Sequence, residues 1–245
     1  YTRVLPFNDL LKHRKTIFCV YHIHYSWDNT IDTGEAISKL LPMFNDNIEK
    51  FKEFCRFGKA VILGDVNHQC FLYLKGEKGC GKSTLSNIIS SLVPDEHKRA
   101  VSLNKFGDDT FISNFENALL NCGSEIDKGV SSEAWGNLLK ITGGDKIESR
   151  QVYSRPKSFV TFMNMLFNGN NSLVITKTNS ARDACIDRIR VMIFSKNYRG
   201  STHRIKDFDK VNFNQYGDAF VTYLMSVTGS FGNWEGYQEE NKQGI

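Results

Sequence analysis

Hydrophobic residues at helical spacing predict two helices near the start of the chain. The first ends at Pro42, which cannot continue a helix, and the second runs from Asn45–Asp46 to Gly64. Upstream, residues 1–31 alternate apolar and polar side chains, a pattern typical of strands. This portion carries no chemical motif. We therefore expect residues 1–64 to form a small, mainly helical domain that serves packing or oligomerisation.

Strand-like and helical patterns alternate through the middle of the chain. A short apolar run, Gln69–Leu74, indicates a buried strand, and apolar residues at helical spacing then follow up to Pro94. Another helical pattern covers Glu133–Ile141. Four further strand-like runs lie at Ala100–Leu103, Asn117–Cys122, Ser158–Met163 and Arg190–Phe194. This alternation predicts an α/β core over residues 65–206, with a parallel sheet and its ligand at the carboxyl ends of the strands.

The last part of the chain, residues 207–245, combines a helical pattern with a polar end. The helix is predicted over roughly Asp209–Val227 and stops at Gly229. From Glu235 onward the residues are mostly polar. We expect this tail to be mobile.

Length and composition favour a folded protein outside the membrane. The chain has 245 residues, 40% of them hydrophobic, and a mean hydropathy of −0.36, which suits one large core with or without an appendage. No apolar run approaches the roughly 20 residues needed to span a bilayer. The six cysteines include no C-x-x-C pair, and no signal peptide is visible. We expect a cytoplasmic, non-secreted protein and, because the first residue is Tyr1, a piece of a longer one.

Basic residues are concentrated in one stretch. The net charge of the chain is +4, whereas Lys177–Lys206 holds eight Lys or Arg residues against two Asp. Such a stretch suits an anionic partner, and it equally suits a solvated basic face.

One stretch near the first predicted strand carries a specific chemical signature. It has the form G-x-x-x-x-G-K-S, in which glycines let backbone N–H groups approach phosphate oxygens closely. Lys82 is expected to reach the β- and γ-phosphates, and the Ser83 hydroxyl to bind Mg²⁺. The strand before it and the helix after it are the context that a phosphate-binding loop requires. The residues predicted to bind a nucleoside triphosphate are Gly76, Glu77, Lys78, Gly79, Cys80, Gly81, Lys82, Ser83 and Thr84.

Two weaker features follow the loop. The strand-like run from Asn117 leads to a carboxylate, Glu125, which can help to hold Mg²⁺ or orient the attacking water. Further on, the run Leu139–Asp145 precedes a basic stretch, Lys146–Lys157. This stretch suits a positively charged hairpin or an ordinary surface hairpin.

Taken in order, these stretches resemble the helicase region of superfamily 3 helicases, as in phage, plasmid and poxvirus primase-helicases and phage primase-polymerases. The phosphate loop, the strand leading to Glu125, the L-K-I-T-G-G-D run, the strand ending in Asn164 and the run Asp187–Phe194 come in the family's order. Phe7–Leu10 and Tyr25–Asp28 are similar to the segment that leads into that core. Only the loop is specific by itself, but the five stretches in order are specific together.

The resemblance implies an AAA+-like P-loop NTPase core that assembles as a hexameric ring, uses ATP and Mg²⁺, and translocates on single-stranded DNA. It implies that Lys82 and Glu125 are catalytic, as the Walker A lysine and the Walker B acid, with Ser83 and Glu125 near the metal. Asn164 matches the polar sensor, and Arg188 matches an arginine finger donated to the neighbouring subunit. The residues that fall on the family's DNA-contacting hairpin are Lys146, Arg150, Gln151, Arg155 and Lys157.

The chain departs from the family at two positions. Ser124 stands where a second Walker B acid is usual, and Met165 stands where a proline often follows the sensor. The expected function is an ATP-dependent DNA helicase or translocase module of a viral or plasmid replication protein, fused to or associated with a primase or polymerase. The missing acid favours an alternative, an ATP-binding ring that clamps DNA with little helicase activity. A small-molecule kinase is a third interpretation, but no acceptor-site motif supports it.

Overall fold

The computed structural model describes residues 23–124, 130–149, 156–175, 180–199, 208 and 213–245, which contain seven strands and eight α-helices. The strands are β1 (Phe71–Gly76), β2 (Lys98–Arg99), β3 (Leu120–Ser124), β4 (Ile147–Ser149), β5 (Lys157–Phe159), β6 (Asn164–Gly169) and β7 (Ile189–Phe194). The helices are α1 (Gly34–Leu40), α2 (Ile48–Leu63), α3 (Lys82–Ser91), α4 (Asp109–Ile112), α5 (Ser132–Gly143), α6 (Ser180–Asp187), α7 (Gly217–Ser226) and α8 (Tyr237–Gly244). None of the helices in these ranges is long and apolar enough to cross a membrane.

Five of the strands form one sheet in the order β2-β3-β6-β1-β7, and every pairing in it is parallel. The carboxyl ends of these strands therefore meet at one edge, which we call the finishing edge, and their amino ends meet at the starting edge. Because β1 lies between β6 and β7, residues that follow β6 stand beside the loop that follows β1. The predicted α/β fold with a central parallel sheet is confirmed.

Both faces of the sheet are covered, as β1 illustrates. Leu72 and Leu74 belong to one hydrophobic cluster, whereas Phe71 and Tyr73 belong to another. Side chains of a strand alternate between the two faces, so a strand buried on both sides is apolar throughout. This explains why the continuous apolar run predicted from the sequence is a central strand.

Helix α2 has the ends that the sequence predicts. The Asn47 side chain accepts a hydrogen bond from the Lys50 N–H at its start, and Gly64 ends it in the left-handed conformation, with φ of 60°. Phe51 and Phe54 of this helix lie in the same hydrophobic cluster as one face of the sheet. Helix α2 therefore packs against one face of the sheet, while residues 1–22 of the predicted N-terminal region lie outside the described residues. A role in oligomerisation stays a prediction.

The strand predicted at Ser158–Met163 is misplaced. Its first residues belong to β5, which pairs with β4 as an antiparallel hairpin. Val160 and Phe162 are exposed, and the central strand β6 begins only at Asn164. The apolar run continues through Phe167, so composition alone did not show where the strand begins. This shift moves the predicted sensor from the end of a strand to its start.

The tail after Glu235, expected to be mobile, contains the helix α8. This helix covers β7, which is an outer strand of the sheet. The Asn241 side chain accepts a hydrogen bond from Val191 N–H at 2.9 Å and donates one to the Ile189 carbonyl at 3.0 Å. Glu240 accepts one from Ile193 N–H at 2.9 Å. Polar side chains thus complete the edge strand, which explains an ordered segment without apolar periodicity.

Candidate functional site

The predicted phosphate loop connects β1 to α3 at the finishing edge. Gly79 and Gly81 have φ values of 90° and 91°, which only glycine adopts without strain. A Cβ on Gly79 would lie 2.6 Å from Cγ of Arg199. The first turn of any α-helix leaves backbone N–H groups without helical partners, so the start of α3 can bind an anion.

Lys82 lies at the centre of this loop. It is 8% exposed, and its Nζ donates hydrogen bonds to the carbonyls of Gly76 at 2.5 Å and Glu77 at 2.9 Å. A further hydrogen bond, 3.2 Å long, goes to Oδ1 of Asn170. The next residue, Ser83, which is predicted to bind Mg²⁺, is exposed in the first turn of α3. The loop therefore holds a positive charge and an accessible hydroxyl side by side.

Two asparagines, at the end of β6 and just after it, lie at the same edge, and the sequence analysis missed both. Asn168 pairs with Leu74 of β1, and its Nδ2 donates a hydrogen bond to Ser86 Oγ at 3.1 Å. Asn170 is exposed and meets Lys82 as described above. The available signal was the Asn-Gly-Asn sequence directly after an apolar run. A strand predicted to end at Asn164 hides this signal, because the signal then falls beyond the strand.

Asn164, the predicted sensor, lies at the starting edge instead. It is the first residue of β6, four residues before Asn168, and so roughly 13 Å from it along the strand. Its side chain is 1% exposed: Oδ1 is 2.8 Å from Nε2 of His68, and Nδ2 donates to the Ala60 carbonyl at 3.3 Å. The prediction that Asn164 is the sensor of this loop is wrong, because it is buried at the opposite edge.

His68 shows that this contact is structural. Burial lowers the pKa of His68, while the hydrogen bond with Asn164 opposes that shift. Its ring also packs edge-on against Phe231, with the ring centroids 4.9 Å apart. The pair therefore joins the start of the sheet to the elements packed around it.

Arg188 also lies at the starting edge. Its Nη1 donates to the side-chain oxygen of Gln69 at 2.7 Å and to the backbone oxygen of the same residue at 3.3 Å. The Arg188 carbonyl accepts a hydrogen bond from Phe71 N–H at 2.8 Å. The residue thus stands away from the phosphate loop of its own chain. Its action on a neighbouring subunit stays a prediction.

The predicted Walker B strand is β3, which lies beside β6. Its last residue, Ser124, pairs with Asn168 and is exposed. Glu125, the next residue, lies outside the described residues. Its role as the catalytic acid and metal ligand stays a prediction. Among the described residues, no group of three or more His, Cys, Asp or Glu side chains could hold a metal ion.

The predicted DNA hairpin is present as β4 and β5. Lys146 is exposed just before β4, and Lys157 forms an ion pair with Glu116. The predicted contact residues Arg150, Gln151 and Arg155 lie between the two strands, outside the described residues. The hairpin itself is confirmed, but its role in binding DNA stays a prediction.

A short segment after β7 lies over the phosphate loop. Tyr198 N–H donates to the Gly79 carbonyl at 2.9 Å, and the Tyr198 hydroxyl donates to the Pro42 carbonyl at 3.1 Å. Burial, together with nearby Asp46 and Cys80, raises the pKa of Tyr198. This segment is part of the basic stretch singled out by its charge. It therefore brings basic residues, including Arg199, to the candidate site.

Comparisons with known proteins find one matching family model and solved structures with a similar fold. A family model described as a family of unknown function, DUF5906, matches residues 74–188. Three solved apo structures of the C-terminal region of NrS-1, two of them described as the A form, match with TM-scores of 0.61, 0.66 and 0.66 and identities of 13%, 12% and 13%. The matches cover 91%, 91% and 92% of this chain, but only 49%, 53% and 54% of theirs. No curated protein matches the chain.

This chain thus spans about half the length of the NrS-1 region that it matches. At identities of 12–13%, the similarity concerns the fold alone. The family model covers the end of β1, the phosphate loop, β3, the hairpin and β6. It ends at Arg188, directly before β7.

Proposed function

We propose that this chain is the ATP-hydrolysing module of a DNA replication protein, which acts as a ring that moves along single-stranded DNA. The observation that carries the proposal is the position of Lys82, buried in a glycine loop with the Asn170 amide 3.2 Å from its Nζ. A lysine, a helix start and a polar amide at the finishing edge suit triphosphate chemistry. The fold shared with the C-terminal region of NrS-1 supports a module related to phage replication.

Lys82 is proposed to stabilise the negative charge of the phosphoryl group during transfer. Its carbonyl partners, on Gly76 and Glu77, are neutral. A phosphate oxygen is a stronger acceptor for the ammonium, because it carries a negative charge that the ammonium attracts. The ammonium is therefore ready to exchange these carbonyls for phosphate oxygens.

Mg²⁺ would neutralise phosphate charge at this site. The exposed Ser83 hydroxyl is a hard oxygen ligand at the start of α3, and Mg²⁺ prefers to keep several waters and few protein ligands. Glu125 is proposed to polarise the attacking water, since it directly follows the strand beside β6. Asn170 takes the sensor role that the sequence analysis gave to Asn164, because it lies at the edge where the phosphates would bind.

The β4–β5 hairpin is proposed to hold the DNA backbone. Its exposed Lys146 and the predicted Arg150 would bind phosphates, which gives affinity without sequence readout through counterion release. Arg150→Ala should then weaken binding about equally for all sequences. It should also lower the salt slope by about one for each phosphate that the arginine no longer neutralises.

The alternative is a ring that binds ATP and clamps DNA for an attached primase or polymerase. Ser124 favours it, because a second acid is missing beside Glu125. The test is ATP turnover with and without single-stranded DNA, combined with the particle mass in solution. DNA-stimulated turnover by a ring-sized particle supports the motor. A ring that binds ATP and DNA without turnover supports the clamp, and a monomer that does not bind ATP contradicts both.

A further inference from the structure

The C-terminal helix α8 contacts β7 and the segment that follows β6, which lie on either side of β1. Its side chains bond to the backbone of β7, as described above. Its last carbonyls, those of Gln243 and Gly244, accept hydrogen bonds from the segment that follows β6. That segment carries Asn170. The helix therefore links the outer strand of the sheet to the candidate nucleotide site.

Lys75 lies at the centre of the contact between α8 and the segment that follows β6. Its ammonium donates to Ser172 Oγ at 2.8 Å and to the carbonyl of Gln243. Ser172 Oγ donates to the same carbonyl at 3.1 Å, and Leu173 N–H donates to the Gly244 carbonyl at 2.8 Å. A cation beside the last carbonyls of a helix is favoured by the helix dipole.

One end of this segment is fixed by Leu173, which is 2% exposed, whereas the residues between Leu173 and β6 have few other anchors. Asn170 and the two residues after it are exposed, so burial of apolar surface does not fix them. Their anchors are polar: the Tyr73 hydroxyl donates to the Asn171 carbonyl at 2.6 Å, and Lys75 holds the next residue. Hydrogen bonds from β1 and α8 therefore decide where the Asn170 amide stands relative to Lys82.

We propose that Lys75 and α8 position Asn170 for its work on the triphosphate. The proposal rests on the proposed function, in which Asn170 acts as the sensor. Lys75 is a positioning residue, because its ammonium is bonded to Ser172 and Gln243 and acts on the site through Asn170. A purely structural tie between α8 and the sheet would make the same contacts, so the test must separate the two roles.

The test is a double-mutant cycle on ATP hydrolysis by the full chain. Lys75→Met removes the charge and keeps the length of the side chain. It should lower kcat about tenfold, since a small displacement of a catalytic group can cost up to about 10²-fold, while KM for ATP stays within about twofold. In an Asn170→Ala background, the same change should cost nothing further. If Lys75→Met lowers kcat by the same factor in both backgrounds, the proposal is overturned.

Lys242→Met is the matched control. Lys242 is also in α8, but it is 74% exposed and 3.8 Å from Glu239, so turnover should not change. Amide exchange of Leu173 adds a second readout: it should accelerate in Lys75→Met and stay unchanged in the control. Unchanged exchange in Lys75→Met would also overturn the proposal. If Lys82→Ala retains turnover, the proposed function itself fails, which is a distinguishable result.

Discussion

The two edges of the sheet use the same residue type in different ways. At the finishing edge, Asn170 is exposed and meets the charged Lys82. At the starting edge, Asn164 is buried, and both ends of its amide are taken by His68 and Ala60. An asparagine is available for chemistry only where its polar atoms remain accessible. Where they are buried and paired, they hold the fold together.

This difference separates stability from turnover. Substitutions at the starting edge should lower the free energy of unfolding, because they leave buried polar groups without partners. Substitutions at the finishing edge should lower the rate of hydrolysis and leave the fold largely intact.

Lys82→Ala should have the largest effect on turnover. It removes the ammonium that lies at the centre of the loop, and ATP hydrolysis should fall to background. Lys242→Ala is the control, since the Lys242 side chain is 74% exposed on α8 and is not part of the loop. Steady-state ATPase assays with both variants check this prediction. Turnover within a few-fold of wild type in Lys82→Ala would remove the loop from the mechanism.

Arg188→Ala tests whether a residue at the starting edge can nevertheless affect turnover, because Arg188 lies at that edge. If it acts as an arginine finger on the neighbouring subunit, its loss should lower kcat by about 10³–10⁵ with little change in ATP binding. Mixing Arg188→Ala with Lys82→Ala subunits should then restore part of the activity, since some interfaces pair an intact loop with an intact arginine. No restoration among subunits shown to exchange would leave Arg188 with only its structural contact to Gln69.

Asn170→Ala should lower kcat by about 10²-fold, the cost of losing one polar group that stabilises transition-state charge. The midpoint of thermal unfolding should change little, because the side chain is exposed. ATPase assays and calorimetry on the same preparation check both parts. A variant with normal kcat would return the sensor role to another residue, and Asn168 is the first candidate.

Asn164→Ala should show the opposite pattern. It leaves the His68 Nε2 without its partner inside the protein, which costs about 1–3 kcal/mol in the free energy of unfolding, whereas the Ala60 carbonyl still accepts a hydrogen bond from the Asp65 N–H. Turnover at a temperature where the variant is folded should stay near that of wild type. Urea denaturation measures the first effect, and a large loss of kcat in the folded variant would contradict the assignment.

The smallest effect is a pH dependence at the starting edge. Burial lowers the pKa of His68 in the folded state, so the unfolded chain binds a proton at higher pH than the folded one does. Stability contributed by this group is present above the unfolded pKa of about 6.5 and is lost as pH falls from there towards the folded value. Between pH 7.5 and pH 5.5, the free energy of unfolding should therefore fall less in His68→Gln than in wild type. Equal losses would contradict it.

Local sequence patterns predicted much of the fold. The phosphate loop is specific because its glycines and lysine serve one local geometry. Helix α2 was predicted from its apolar face and from Gly64, and β7 from a compact apolar run. In each case neighbouring residues alone determine the structure.

Other features depend on contacts between distant segments. The apolar run from Phe159 to Phe167 does not reveal where β6 begins, because that depends on its pairing with β1 and β3. The sequence therefore predicts the sensor at Asn164, whereas Asn170 stands at the loop. Helix α8 has mostly polar residues. It is held by hydrogen bonds to β7 and by the buried Tyr237, and no periodicity in its own sequence predicts these contacts.

The most direct test of an ATP site at the finishing edge is amide hydrogen exchange with and without Mg²⁺ and a non-hydrolysable ATP analogue. Slower exchange is expected over Gly79–Thr84 and over the segment after β6 that carries Asn170. The amides around His68 and Asn164 should exchange at the same rate in both states. Protection confined to the starting edge, or no protection in the loop at saturating analogue, would contradict the assignment.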